Sequence, residues 1–284
     1  ALGQDREPTE TRVTHGPMLG RPSHDSMSLW MRTHRPGKVV VFYGTDKTEL
    51  DQSATLQTTS IEDDNTGILK LDKLQANTRY FYRVEDHQLS GSFRTLPHAD
   101  DFRNVTGNPE GLFNFNFQFA CGNNQRGGGD SAGPTLPVFD TLNRQVRDEI
   151  HFAILNGDWL YEDRRAYPAS EWLHQVGIDS LGQAPDIVQK APTVVGVWEN
   201  YKIYLERGRN LSEWHRHIPS FYTADDHELL NDIYGTGEVG YVNRRAVFRD
   251  IATRAWFDYL AWANPTEHTA PAWFGTGRFK KGSD

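Results

Sequence analysis

The hydrophobic period of the chain changes near residue 110, and that change divides it into two unlike parts. Before it, short runs rich in β-branched and aromatic residues follow one another. They are Met27-Ser28-Leu29-Trp30-Met31-Arg32-Thr33, Lys38-Val39-Val40-Val41-Phe42-Tyr43, Gly67-Ile68-Leu69-Lys70-Leu71, Arg79-Tyr80-Phe81-Tyr82-Arg83-Val84 and a short last Ser92-Phe93-Arg94-Thr95. Such side chains fit a pleated, half-buried surface. Pro36-Gly37, Asp63-Asp64-Asn65 and Ala76-Asn77-Thr78 supply turn chemistry between them. Short strands at this spacing predict a β-sandwich over residues 1–98. The polar stretch 97–111, with Asp100-Asp101 and Asn108-Pro109, marks the boundary.

From residue 112 to 284 strands alternate with helices, which predicts a layered α/β domain. Phe113-Asn114-Phe115-Asn116-Phe117-Gln118-Phe119 has a period of two, so it reads as a strand with one aromatic face. A helix is expected from Pro137, with Val138, Leu142, Val146 and Ile150 as its buried stripe. His151-Phe152-Ala153-Ile154-Leu155 reads as a buried strand, and Ile218-Pro219-Ser220-Phe221-Tyr222 as another. Between them a helix is expected over 197–207, with Val197, Trp198, Tyr201 and Leu205 on one side. A last helix is expected over 245–263, carrying Phe248, Ile251, Ala255, Tyr259 and Trp262.

Size and charge narrow the function. The 284 residues suit two domains. A net charge of −8 leaves no basic footprint for nucleic acid or an anionic membrane. It does not oppose a phosphate substrate, because bound cations invert the field of an acidic site. Cys121 is the single cysteine, so no intrachain disulfide forms. No apolar run reaches membrane-spanning length. The opening Ala1-Leu2-Gly3-Gln4-Asp5-Arg6 does not read as a signal peptide.

Three polar clusters follow three predicted strands: Cys121-Gly122-Asn123-Asn124-Gln125; Asn156-Gly157-Asp158-Trp159-Leu160-Tyr161-Glu162-Asp163; and Ala224-Asp225-Asp226-His227-Glu228 with Asn231-Asp232. Taken singly, each has a plain use. A strand-end cysteine is most often a small hydrophobe. Gly-Asp is a common turn, tyrosine a packing aromatic, and Asp-Asp a helix cap. Taken together, they stand at the carboxyl ends of strands, where α/β sheets bind ligands. They offer a thiolate, a phenolate, carboxylates and an imidazole, a donor set suited to one softer and one harder metal.

Phe119-Ala120-Cys121, Gly157-Asp158-Trp159-Leu160-Tyr161-Glu162 and Asp225-Asp226-His227-Glu228 with Asn231-Asp232 resemble, in order, three motifs of the PhoD family. That family belongs to the calcineurin-like metallophosphoesterases. Thr14-His15-Gly16-Pro17-Met18-Leu19-Gly20 and Leu29-Trp30-Met31-Arg32-Thr33 resemble the start of its N-terminal fibronectin type III-like β-domain. The resemblance implies an α/β/β/α metallophosphatase domain and the hydrolysis of phosphate monoesters and, second, diesters. It implies Cys121 and Tyr161 on a ferric ion, Asp158 bridging to a second metal, and Asp226 on that metal, with Asp225 as the fallback. The second metal is expected to be calcium, with zinc or manganese as alternatives. His227 is expected to face the substrate phosphate. Trp159, Glu162 and Asn231 are expected to orient the ligands. The family's C-terminal Gly-Asp-x-His segment has no counterpart, since no Gly-Asp pair recurs after Asp158. The resemblance therefore implies a C-terminally incomplete domain, and a non-catalytic binding form is the alternative function. A different ester substrate is a third reading, with Trp172, Trp198 and Trp214 lining a wider cleft, although core packing is their commoner use. Export from the cytoplasm is implied by the resemblance alone.

Overall fold

A computed structural model describes residues 11–85, 89–126, 133–229 and 242–265. The first part forms two antiparallel sheets. Strands β1 (Val13–Gly20), β2 (Met27–Thr33) and β5 (Thr66–Leu71) pair in the order β1-β2-β5. Strands β3 (Val39–Gly44), β4 (Gln52–Leu56), β6 (Arg79–Val84) and β7 (Ser90–Arg94) pair in the order β4-β3-β6-β7. Their inward faces, including Leu29, Met31, Val41, Tyr82 and Phe93, make one core. β1 and β4 are additions to the sequence reading. The Gly16-Pro17 pair in β1 and the polar start of β4 both argue against strand by propensity, and pairing with neighbours overrides it.

β2 is buried along its whole length, on both faces. Met27, Leu29 and Met31 enter the sandwich, while Met18 and Trp30 join the core of the second domain. The Trp30 indole N–H donates to the Asp258 carbonyl at 2.7 Å. Polar groups seal the same seam. Asp64, fully buried, receives Arg32 through two guanidinium N–H groups at 3.0 and 3.1 Å. It also accepts from the Trp172 indole at 2.7 Å and the Tyr259 hydroxyl at 2.6 Å, with the Lys202 ammonium 3.6 Å away. His15 on β1 meets Glu206 at 3.2 Å.

The second part holds a parallel sheet of three strands among the described residues. Its order is β10 (Ser220–Thr223), β9 (Phe152–Asn156), β8 (Phe117–Ala120). Helices α1 (Pro137–Gln145), α2 (Ala169–Val176), α3 (Asp186–Lys190), α4 (Val194–Arg207), α5 (Arg209–His215) and α7 (Val242–Tyr259) accompany it, with the single turn α6 (Asp226–Leu229). α4 is the core element, with ten of its residues buried, including the polar Asn200 and Lys202, so its apolar surface is wider than one side. α1 departs from the expected stripe. Val138 is exposed and Phe139 is buried in its place, while Leu142, Val146 and Ile150 pack against the core as expected, the last two beyond the helix end at Gln145 and around a 3-10 turn (Arg147–Glu149). α7 ends earlier than expected, where Leu260 leaves helical geometry and Ala261–Ala263 form a 3-10 turn. Ile251, Ala255, Tyr259 and Trp262 are buried as expected, whereas the Phe248 side chain lies outside the described ones. Trp172, Trp198 and Trp214 have no exposed surface, so they pack the core and line no cleft. No described helix is long and apolar enough to cross a membrane.

The sheet's two faces differ. Ala153, Leu155 and Tyr222 point into the core. The strand expected over 113–119 is shorter, Phe117–Ala120, and its aromatic face is open: Phe117 and Phe119, with Phe115 just before the strand, are 48, 60 and 48% exposed. They continue into Phe152 and Phe221 through ring contacts of 5.4 to 5.7 Å.

Candidate metal centre

Parallel pairing brings the carboxyl ends of β8, β9 and β10 side by side, with Ala120 opposite Leu155 and Thr223 opposite Asn156. The three polar clusters therefore emerge from one edge of one sheet. Backbone bonds tie the first two: Gly122 N–H donates to the Gly157 carbonyl at 3.3 Å, and Asn123 N–H to the Asp158 carbonyl at 2.8 Å. Gly157 and Asp158 both lie in the left-handed region, at φ +75° and +52°. The turn is tight because the third loop presses on it. A Cβ at position 157 would meet the Asp225 Cβ at 2.5 Å. Gly157→Ala should therefore cost roughly 1–2 kcal/mol from its backbone conformation, before the contact is counted. Thermal unfolding of the variant checks this, and metal uptake should fall with it.

Asp158 stands at the centre. It, Asp226 and His227 each offer a ligand atom, all within 4.8 Å of one another. Tyr161 donates its hydroxyl to Asp158 Oδ2 at 3.2 Å, and its ring lies 4.0 Å from the His227 imidazole. Asp158 Oδ1 is buried and has no hydrogen-bond partner. His227 Nδ1 is 2.8 Å from Glu162 Oε2. A carboxylate only accepts, so Nδ1 carries the proton and Nε2 faces away with its lone pair or a second proton. Cys121 is exposed at the end of β8, within electrostatic reach of Asp158 and Asp225. Asp225 is also exposed, and its carboxylate accepts the N–H of Asp226 at 3.0 Å. The cluster therefore takes Asp226, while Asp225 acts as a local cap. Asn231 and Asp232 lie outside the described residues.

The electrostatics are those of an acidic site short of positive charge. Burial, and then the Asp158, Asp225 and Glu228 carboxylates, raise the Cys121 thiol. Burial, and then Asp158, push the Tyr161 phenol up to about 12. Burial raises Asp158 as well, with Asp226 and Asp225 adding to it against His227 and the Tyr161 bond. A cation among these groups would reverse each shift. The orphaned Asp158 oxygen and the mixture of carboxylate, phenol, imidazole and thiol fit a metal ion.

Two supports were not read from the sequence. Glu228, fully buried, accepts three backbone N–H bonds from the site loops. Asn200 on α4 accepts from Asp163 and Arg164 N–H at 2.7 and 2.6 Å and donates to the Tyr161 carbonyl at 2.6 Å. Glu228 was visible as the last residue of Asp-Asp-His-Glu. Nothing near Asn200 in the sequence marks it.

An antiparallel β-domain followed by a parallel α/β domain, with acidic loops at the strand ends, defines a metallophosphoesterase-like fold. The PhoD-like phosphatase N-terminal domain model matches residues 1–97, and the PhoD-like phosphatase model matches residues 117–275. The chain belongs to the PhoD-like phosphatase family. A solved structure of PhoD superposes with a TM-score of 0.61 at 18% identity, over 86% of this chain and 45% of that one. A purple acid phosphatase from yellow lupin (Lupinus luteus) seeds gives a TM-score of 0.47 at 12% identity, over 85% of this chain and 40% of that one. The chain thus spans less than half the length of the solved PhoD it resembles. No curated protein matches its sequence.

Proposed function

We propose that this chain carries the metal site of a hydrolase acting on phosphate monoesters and, second, diesters. The observation that carries the reading is the buried, unpartnered Asp158 Oδ1 beside Asp226 and His227. Asp158, Cys121 and Tyr161 would hold a ferric ion. Asp158 and Asp226 would hold calcium, with zinc or manganese as alternatives. Such ions, when bound, supply Lewis acidity toward phosphate oxygens and water. Glu162 holds one tautomer of His227 and aims its Nε2 away from the Glu162 carboxylate. Protonated there, His227 would donate to a phosphate oxygen and stabilise charge that grows in the transition state. Trp159, stacked on Tyr201 and buried, keeps water from the back of the Asp158 turn. Export, as the resemblance implies, belongs to the same proposal.

The test is metal content, by mass spectrometry, of the chain purified without chelators, with turnover of p-nitrophenyl phosphate and bis(p-nitrophenyl) phosphate. Stoichiometric iron and calcium with chelator-sensitive turnover is the expected result. Metal without turnover would favour the non-catalytic binding form, and neither would overturn both readings.

A further inference from the structure

We infer that Glu228 is a positioning residue, a buried carboxylate clamp that sets the direction of the Asp158 side chain; the inference rests on the metal-site reading above. Its side chain has no exposed surface. Oε1 accepts the Trp159 N–H at 2.6 Å, and Oε2 accepts the Asp158 N–H at 3.0 Å and the Asp225 N–H at 2.8 Å. One carboxylate therefore binds the loop after β9 to the loop after β10. Two of its donors flank the φ of +52° at Asp158, a conformation that non-glycine residues seldom adopt. Both N–H groups point at Glu228 while Asp158 holds that dihedral, and its carboxylate lies beside Asp226 and His227. Glu228 is itself anchored: Arg165 donates to the carbonyls of His227 and Glu228 at 3.1 and 3.4 Å.

All three partners of the carboxylate are donors. An amide in its place must set its NH2 group against at least one N–H, whichever way it is turned. Glu228→Gln is therefore isosteric in shape and wrong in polarity. Groups that orient a metal ligand typically change affinity by about 10–100-fold when replaced. The experiment has two readouts on the whole chain. The first is amide hydrogen exchange of residues 157–159 without metal, expected to be at least about tenfold faster in Glu228→Gln, with the sandwich strands unchanged. The second is terbium(III) binding, followed by luminescence sensitised through neighbouring aromatic rings, expected to weaken by about 10–100-fold.

Unchanged exchange at 157–159 overturns the clamp, and so does terbium affinity equal to the unaltered chain. If the unaltered chain binds no terbium, the metal-site reading and the positioning role fall together, while faster exchange would still mark a purely structural clamp. Should Glu228→Gln fail to fold, Glu228→Asp carries the same test. It keeps the charge but is one methylene too short to reach all three donors, and protection equal to the unaltered chain would again overturn the inference.

Discussion

Asp158→Asn is expected to empty the site. The substitution keeps the size of the side chain, so the turn and its bonds to Glu228 survive, but it removes the charge next to the orphaned Oδ1. Bound metal should fall from stoichiometric to trace. Phosphate-ester turnover should fall on the order of 10³-fold, at least the scale of losing one electrostatic contact to a developing oxyanion. A third readout needs no metal. The Tyr161 phenol is held high by burial first, then by the Asp158 charge and hydrogen bond. Its titration, followed by ultraviolet absorbance, should move down from about 12 toward the ordinary tyrosine value when that charge is removed. Asp225→Asn is the control. That side chain is exposed and caps the Asp226 N–H, so metal binding should change little. Equal losses in the two variants would remove Asp158 from the centre of the site.

The largest loss of stability is expected at the domain seam. Asp64→Asn leaves the buried Arg32 without its paired carboxylate, while Lys202 keeps Glu199 at 2.9 Å. Breaking a buried ion pair by removing one partner typically costs about 3–5 kcal/mol. Denaturant unfolding should show a lower midpoint with an unchanged slope, and the two domains should still unfold in one transition, since Met18 and Trp30 belong to the core of the second. The acid limb carries a sign. Burial alone would raise the Asp64 carboxyl; the Arg32 and Lys202 charges, with the Arg32 and Tyr259 hydrogen bonds, outweigh it and hold the carboxyl below the usual carboxylate range. Its contribution is therefore full above the unfolded value of about 3.9 and is lost as pH falls through the lower folded value. In Asp64→Asn that part of the acid-induced loss should disappear. An acid limb identical to that of the unaltered chain would mean that the cluster contributes nothing through charge.

The strands with strong pattern were legible. Met27–Thr33 and Arg79–Val84 were read to the residue, because the side chains that enter the sandwich core recur at every second position in both. β1 and β4 were not read as strands, since their glycine, proline and polar residues pair only because neighbours supply the hydrogen bonds. In α1 the sequence period placed Leu142, Val146 and Ile150 against the core but missed Phe139 and misplaced the exposed Val138, and the helix itself stops at Gln145, before the third member of the series. The second face of β2 was hidden for a different reason. Ser28, Trp30 and Arg32 look like a solvent face until another domain covers them.

In the candidate site, the residue types and their place after each strand were legible, as were the family and the order of its motifs. Cys121, Asp158, Tyr161, Asp226 and His227 were all named from the sequence. Their relation to each other was not. Parallel pairing of β8, β9 and β10 brings the three loops to one edge, and the left-handed turn at Gly157-Asp158 aims the carboxylate. Local pattern determined which residues could serve a metal, because side-chain chemistry and strand ends are local properties. Tertiary structure alone decided that Asp226 joins the cluster while Asp225 caps a turn, that Glu162 holds His227, and that Glu228 joins two loops. Those choices depend on contacts between residues up to 70 positions apart, which no sequence period encodes.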